Sequence, residues 1–257
     1  MEKLSVVVIT HNEEDNIGRC LESVKWADEI IVVDSFSTDR TVQIAEKYTK
    51  KVFQKAWEGY GRQKNYALSK ATNTWVLALD ADERITRELA DEIIGVLRAG
   101  DTQVIAYELP YKVFFGGKWV RHGGLYPEYH IRLFRKDKAA FKERAVHERV
   151  ETSGPVGRLH HFVEHYTYRS VSDFIQRMDR YSTLSAEAYY KEGRRVGWFE
   201  ALFRAWFTFG QMYILKRGFL DGGLGLQLAM LYSCYTFVKY AKLKELFQAD
   251  KEKIVKH

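Results

Sequence analysis

The stretch WVLALDADER, residues 75–84, runs an apolar segment straight into Asp80, Asp82 and Glu83. Carboxylates this close repel one another unless positive charge sits among them. Asp80-x-Asp82 offers hard oxygen donors of the kind Mg2+ or Mn2+ takes when phosphate oxygens complete its shell. A lysine partner or a solvated loop would also account for the acids. Neither GxxxxGK[ST] nor GxGxxG follows the first apolar run, so the usual kinase and dehydrogenase phosphate loops are missing. A bound diphosphate would then have to be met by a metal ion or by basic side chains. Two further patterns invite a metal. His160, His161 and His165 form H-H-x-x-x-H, with packing or phosphate contact as the competing readings, and HERVE at 147–151 lacks the second His of a zinc HExxH site.

The elements that must position these acids alternate over the first hundred residues. LSVVVIT, DEIIVVD, KKVFQKAW and TWVLALD read as strands, separated by helices over EDNIGRCLESV, STDRTVQIAEKY and GRQKNYALSKA. Ser37 or Thr38 is the expected N-cap of the second helix, and the amphipathic ITRELADEIIGVLRAG should stop at Gly100. Continuous apolar strands between helices imply a parallel sheet covered on both faces, with ligands at the carboxyl ends of its strands. Asp34, Asp80 and the segment THNEE fall at such ends. From about residue 103, longer strand-like stretches with glycine-rich connections predict antiparallel additions. The fold class is therefore α/β, a doubly wound and mostly parallel sheet with antiparallel additions. It is expected to fill a domain over 1–168, followed by a helical region over 169–257.

Charge is unevenly placed. Residues 169–257 hold 15 Lys/Arg against 9 Asp/Glu, while the first 168 are balanced, so the whole net charge of +6 sits in the last third. That third also carries WFEALFRAWFTFGQMYIL, in which Glu200, Arg204, Thr208 and Gln211 form a polar stripe beside a wide aromatic face. The 17 residues from Gly222 to Val238 are uncharged but too few to span a bilayer, which takes about 20. A membrane-surface region is the expectation, with packed helices or a homo-oligomer contact as the alternative. Nucleic acid is disfavoured as a partner, because the basic residues accompany a helical apolar face rather than a stacking platform. Cys20 and Cys234 are far apart without CxxC spacing, which predicts neither a disulfide framework nor a cysteine zinc site. The amino terminus shows no secretory leader.

VVVITHNEEDNIGRCLESV, EIIVVDSFSTDRT and WVLALDADE together closely resemble the family 2 glycosyltransferases of the GT-A fold. GYGRQKNYAL, YPEYHIRLFRK, AVHERVE and GFLDGGLG are similar to bacterial glucosyltransferases that extend the inner-core heptose of lipopolysaccharide. The resemblance implies a UDP-sugar donor, a Mg2+ or Mn2+ cofactor, and a lipid-anchored saccharide acceptor. It also implies a peripheral, cytoplasmic location on the inner face of the membrane. It places Thr10, Asn12, Glu13 and Asp34 at the nucleoside, with turn formation as the other account of Asn12 and Asp34. Asp80 falls at the ribose and metal, and Asp82 at the metal directly. Lys64 and Arg62 fall near the nucleotide, with solvated helix surface as the competing reading. For Glu83 an acid favouring a helix start is preferred. Inverting transfer needs a carboxylate base, for which the resemblance implies Glu148 oriented by His147, with Glu128 next in line. Arg121, His122, Arg132 and Arg135 would meet an anionic acceptor or lie on a solvated edge. Gln176, Arg180 and Tyr181 depart from the QxxRW of processive synthases, which favours one sugar per acceptor. A different acceptor, or a non-catalytic nucleotide-sugar adaptor, is the alternative function.

Overall fold

A computed structural model describes residues 2–100, 103–142 and 149–255. In chain order the first half contains β1 (Leu4–Thr10), α1 (Ile17–Ser23), β2 (Glu29–Asp34), α2 (Thr41–Ala45), β3 (Val52–Gln54), α3 (Tyr60–Lys70), β4 (Trp75–Asp80), β5 (Glu83–Ile85) and α4 (Arg87–Ala99). There follow β6 (Ala106–Phe115), β7 (Lys118–Trp119), β8 (Glu128–Arg135), β9 (Ala139–Lys142), β10 (Arg149–Thr152), β11 (Val156–Arg158) and β12 (Val163–Tyr168). The last third is helical, with α5 (Val171–Lys191), α6 (Trp198–Gly210), a π-helical turn over 211–215, a 3-10 turn over 218–221 and α7 (Gly222–Val255). The chain forms two compact units, Met1–Lys112 with Glu128–Thr167, and Val113–Pro127 with Tyr168–His257.

In the first unit the strands β3-β2-β1-β4 are parallel, and β8 then pairs antiparallel with β4 and with β6. The parallel strands are apolar throughout because both faces are covered. Val6, Val8, Leu77 and Leu79 point to one side and pack with Ile17, Leu21, Leu89 and Ile93 of α1 and α4. Val7, Ile9, Val76 and Ala78 point to the other and pack with Ala67 and Leu68 of α3, and with Phe134 and Phe141. Each fully buried aliphatic side chain of this kind contributes roughly 1.5–3 kcal/mol. The α/β expectation, parallel sheet with antiparallel additions and a helical carboxyl-terminal region, is borne out.

Local signals account for the edges of the elements. Thr86 caps α4 by accepting from the Leu89 N–H at 3.3 Å, and Gly100 ends it in the left-handed region at φ 63°. The second helix begins only at Thr41, later than the Ser37 or Thr38 cap predicted. Those two residues are held instead by Asp34 and Asn12, in the loops described below. In the second unit α7 is a single 34-residue helix, so the uncharged segment from Gly222 is only its first half. Among the described residues no helix is long and apolar enough to cross a membrane.

Candidate active site

Parallel strands end together, and their register brings the predicted residues side by side. Thr10 lies opposite Asp34, and Ile9 opposite Asp80. The loops after β1 and β2 interlock. The Asn12 N–H donates to Ser37 Oγ at 2.8 Å, and Asn12 Oδ1 accepts from the Thr38 N–H at 2.8 Å. Asp34, wholly buried, accepts from the Ser37 N–H at 2.8 Å and from the Ser37 hydroxyl. Asn12 and Asp34 therefore shape this rim through turn chemistry, and the left-handed φ values of Asn12 (53°) and Phe36 (57°) belong to the same turns. Glu13 accepts from Asn16 Nδ2 at 2.8 Å, while its own N–H donates to Thr41 Oγ1. Thr10 Oγ1 and Gln63 Oε1 are buried without a hydrogen-bond partner among the described residues. Such orphaned atoms are uncommon in folded chains and mark a place where a ligand can supply the missing bond.

The charge between the acids comes from two elements distant in sequence. Lys64, on the buried face of α3, places Nζ 2.9 Å from Asp80 Oδ1 and 3.1 Å from Oδ2, and only 1% of the residue is exposed. Arg62, two residues earlier, is exposed, because residues i and i+2 do not share a helix face. Arg132 reaches in from β8. Its Nη2 donates to Asp80 Oδ2 and Glu83 Oε1, both at 3.0 Å, and its Nε donates to the Tyr111 hydroxyl at 2.8 Å. Glu83 Oε2 also accepts the Asp80 N–H at 3.0 Å. Glu83 is thus no helix-start acid. ERI forms β5 and pairs with β12, so α4 starts later and Glu83 is wholly buried. Burial opposes ionisation of Asp80, but Lys64 and Arg132 outweigh it and hold that carboxyl well below the usual range. For Glu83, burial prevails, reinforced by the Asp80 charge and opposed by Arg132, and its affinity for a proton is raised. Arg132 is likewise no solvated edge residue.

Asp82 sits in the turn between β4 and β5 with 7% of its surface exposed. The antiparallel pairing of β12 with β5 sets His165 opposite Glu83, and the Tyr166 N–H donates to Asp82 O at 2.9 Å. His165 Nε2 consequently lies 3.5 Å from Asp82 Oδ1. Burial works against charging this imidazole, yet the Asp82, Glu83 and Asp80 charges outweigh it and raise its affinity for a proton. The other two histidines go elsewhere. The His160 and His161 N–H groups donate to the Glu92 carboxylate at 2.9–3.1 Å, and His161 Nδ1 lies 2.9 Å from Glu92 Oε2. Among the described residues no group of three or more His, Cys, Asp or Glu is arranged to hold a metal. Asp82 and His165 provide two donors, one oxygen and one nitrogen. The carboxylate suits Mg2+ or Mn2+ with water and phosphate for the rest of the shell, and the imidazole would have to be neutral to join it.

Glycosyl transferase family 2 matches residues 5–166, the span that includes Thr10, Lys64, Asp80, Asp82, Arg132 and His165. The chain belongs to that family. An uncharacterized glycosyltransferase of Rickettsia typhi is 32% identical over 257 residues, covering 96% of this chain and 88% of its own. The lipopolysaccharide core biosynthesis glycosyltransferase LpsC of Rhizobium meliloti is 28% identical over 247 residues, covering 93% and 91%. Among solved structures, the fold is similar to a mannosyltransferase of Pyrobaculum calidifontis in complex with GDP-Man and Mn2+. The TM-score is 0.54 at 15% identity, over 94% of this chain and 87% of that one.

For a family 2 glycosyltransferase the base is the remaining question, and Glu148 and His147 lie outside the described residues. Glu128, the second choice, is an exposed residue at the start of β8 with Oε1 3.3 Å from His130 Nε2. Arg135 lies 3.5 Å from Asp137. In the second unit, Asp221 accepts from the Arg121 and His122 N–H groups at 3.0 and 2.9 Å, and lies 2.8 Å from His122 Nδ1. Arg132 and His165 are the residues whose position sequence reasoning missed. Alternation in VEHYTY marks a strand, but nothing local shows that it pairs with the DADE segment.

Proposed function

We propose that this family 2 glycosyltransferase moves one hexose, glucose from UDP-glucose in the favoured case, to a heptose of a lipid-anchored lipopolysaccharide core, with inversion. The observation that carries the reading is Asp82, nearly buried at the carboxyl end of the parallel sheet with His165 3.5 Å away. The LpsC relative, named for lipopolysaccharide core biosynthesis, supports the acceptor class. The Mn2+ accompanying GDP-Man in the mannosyltransferase is consistent with a cation at such a site.

In this reading Asp82 and His165 hold a divalent cation, which when bound stabilises negative charge on the departing UDP. Asp80 lies by the ribose and the metal, pinned by Lys64 and Arg132 so that its position does not change as charge develops. Thr10, Asn12, Glu13 and Asp34 form the nucleoside rim, the buried Thr10 hydroxyl taking up its missing bond there. Exposed Arg62 offers positive charge to the diphosphate. Glu148, oriented by His147, removes the proton from the acceptor hydroxyl as its oxygen bonds to the sugar C1, and the C1–O bond to UDP breaks on the opposite face. The enzyme works at the cytoplasmic face of the membrane.

Calorimetric titration of UDP and UDP-glucose with Mn2+, and then with a chelator, tests the donor site. Mn2+-dependent binding should vanish in Asp82→Ala, and sugar transfer with it. Absence of UDP binding under every condition, or near-normal transfer by Asp82→Ala, would overturn the reading. Glu148→Gln should keep UDP binding and lose turnover, whereas unchanged turnover would move the base elsewhere.

A further inference from the structure

The helix α6 has the reverse of the polarity a water-soluble helix needs. Its small residues Ala201 and Ala205 are the buried ones. Phe199, Phe203, Trp206 and Phe207 are exposed by 91, 69, 72 and 53%. Polar groups face α7 instead. Ser233 Oγ donates to Ala205 O at 2.8 Å, and Thr208 and Thr236 hydroxyls lie 3.2 Å apart. The apolar surface continues through Ile214 and Leu215 of the next turn, exposed by 62 and 71%. A contiguous aromatic face of this kind marks an interaction surface rather than ordinary exterior.

Beside that face lies a groove of about 560 Å3, lined by Glu200, Phe203, Arg204 and Phe207 of α6 and by Lys239 and Tyr240 of α7. Lys239 Nζ lies over the rings of Tyr189 (5.2 Å) and Tyr240 (4.9 Å), and Arg194 stacks on the same two rings. Arg204 pairs with Glu200 at 2.7 Å, but neither Lys239 nor Arg194 has a carboxylate partner among the described residues. Three cations thus share the rings of Tyr189, Tyr235 and Tyr240 and one acid. Burial, then repulsion from Arg194 and Arg204, loosens the hold of Lys239 on its proton, as expected of a cation lacking its counterion.

We propose that α6 lies in the plane of an anionic phospholipid bilayer, with Phe199, Phe203, Trp206 and Phe207 in the acyl layer and a lipid phosphate in the groove at Lys239 and Arg204, with Arg194 adding charge from the tyrosine rings it shares with Lys239. Charge selects this occupant over a second copy of the chain. A symmetric contact would bring two uncompensated cation clusters together, and residues 169–257 carry the full +6 excess. A bilayer supplies both the apolar layer and the phosphate at the matching depth. The inference refines the membrane-face location proposed above and is independent of which sugar is moved, since its test needs no transfer.

The test is flotation of the full chain with vesicles of phosphatidylcholine alone and with one-third phosphatidylglycerol, with UDP binding and helical content measured on every variant as folding controls. Wild type should float with the anionic vesicles. Phe199→Ser/Phe203→Ser should lose more than about tenfold in affinity for both compositions. Lys239→Met/Arg194→Gln should lose about fivefold per cation on anionic vesicles alone. Equal flotation of wild type and all variants would overturn the proposal, as would no flotation of wild type. A dimer by light scattering that dissolves in Phe199→Ser/Phe203→Ser would assign the face to a second copy. Competition by inorganic phosphate without vesicle binding would reduce the groove to an anion site.

Discussion

Arg132 gives the most demanding test of how the acids at the sheet end are held. It is the cation common to Asp80 and Glu83, at 3.0 Å from each, and its side chain is only 12% exposed. Replacement by Met keeps most of the volume and removes the charge, leaving Glu83 wholly buried with the Asp80 N–H as its remaining described donor. Breaking a buried pair by removing one partner costs about 3–5 kcal/mol. For a chain of this size that is about 6–20 °C in thermal midpoint, at roughly 2–4 °C per kcal/mol. The deficit has a pH signature. Glu83 already binds its proton more tightly than usual because of burial and Asp80, and losing the opposing Arg132 charge tightens it further. The folded state then keeps a proton that the unfolded chain releases near pH ~4.3. The protonated carboxyl's contribution is complete below that pH and is lost as pH rises through the raised folded value. Arg132→Met should therefore be closer to wild type at pH 5 than at pH 8. Arg132→Met/Glu83→Gln should recover at least about 1 kcal/mol over the single variant at pH 8. Thermal unfolding followed by circular dichroism reads all three. A midpoint for Arg132→Met within about 2 °C of wild type, or no recovery in the double variant, would refute the claim that this arginine neutralises the pair.

Two further outcomes follow from the same unit. Asn65 on α3 mimics a strand neighbour for β9, donating to Phe141 O at 2.8 Å and accepting the Phe141 N–H at 3.0 Å, so Asn65→Ala should cost about 1–3 kcal/mol in denaturant unfolding. Burial of Glu29 favours its neutral form, but hydrogen bonds from Lys51, Ser5 and Thr72 outweigh it and lower the carboxyl from 4.5 to about 2. That stabilisation is complete above the unfolded value and is lost as pH falls from 4.5 towards 2. Glu29→Gln should flatten the acid limb of the unfolding profile in that window, and an unchanged limb would show that other carboxylates govern it.

Much of the first unit was legible because its signals are local. The apolar runs of β1, β2 and β4 are continuous since both faces are covered, and Thr86 and Gly100 bracket α4 by cap chemistry alone. Asp80 and Asp82 were legible as a pair because two residues of spacing put both at one strand end. Their partners were not. Arg132 is 52 residues from Asp80 in sequence, brought there by an antiparallel pairing that no short window encodes. Lys64 could be read as solvated helix surface until α3 was seen to pack on the sheet. The wheel of α6 showed a polar stripe and an aromatic face, but periodicity is silent on which of them meets α7. The answer depends on the small side chains, Ala201 and Ala205, that permit close approach.

Three acids at one strand end also turn out to be two different problems. Asp80 and Glu83 are matched by two cations, Lys64 and Arg132, in a closed arrangement that also holds the Asp80 N–H and the Tyr111 hydroxyl. Lys64 is buried and Arg132 largely so, and together they hold Asp80 and Glu83 in place. Asp82 lies in the turn that follows, with the His165 imidazole 3.5 Å away. An imidazole can release its proton near neutral pH and donate a lone pair, which a guanidinium cannot. His165 is therefore a neighbour of Asp82 that can itself become a ligand. In the proposed reading the DADE segment supplies both a fixed support, at Asp80 and Glu83, and the position of an exchangeable cation, at Asp82.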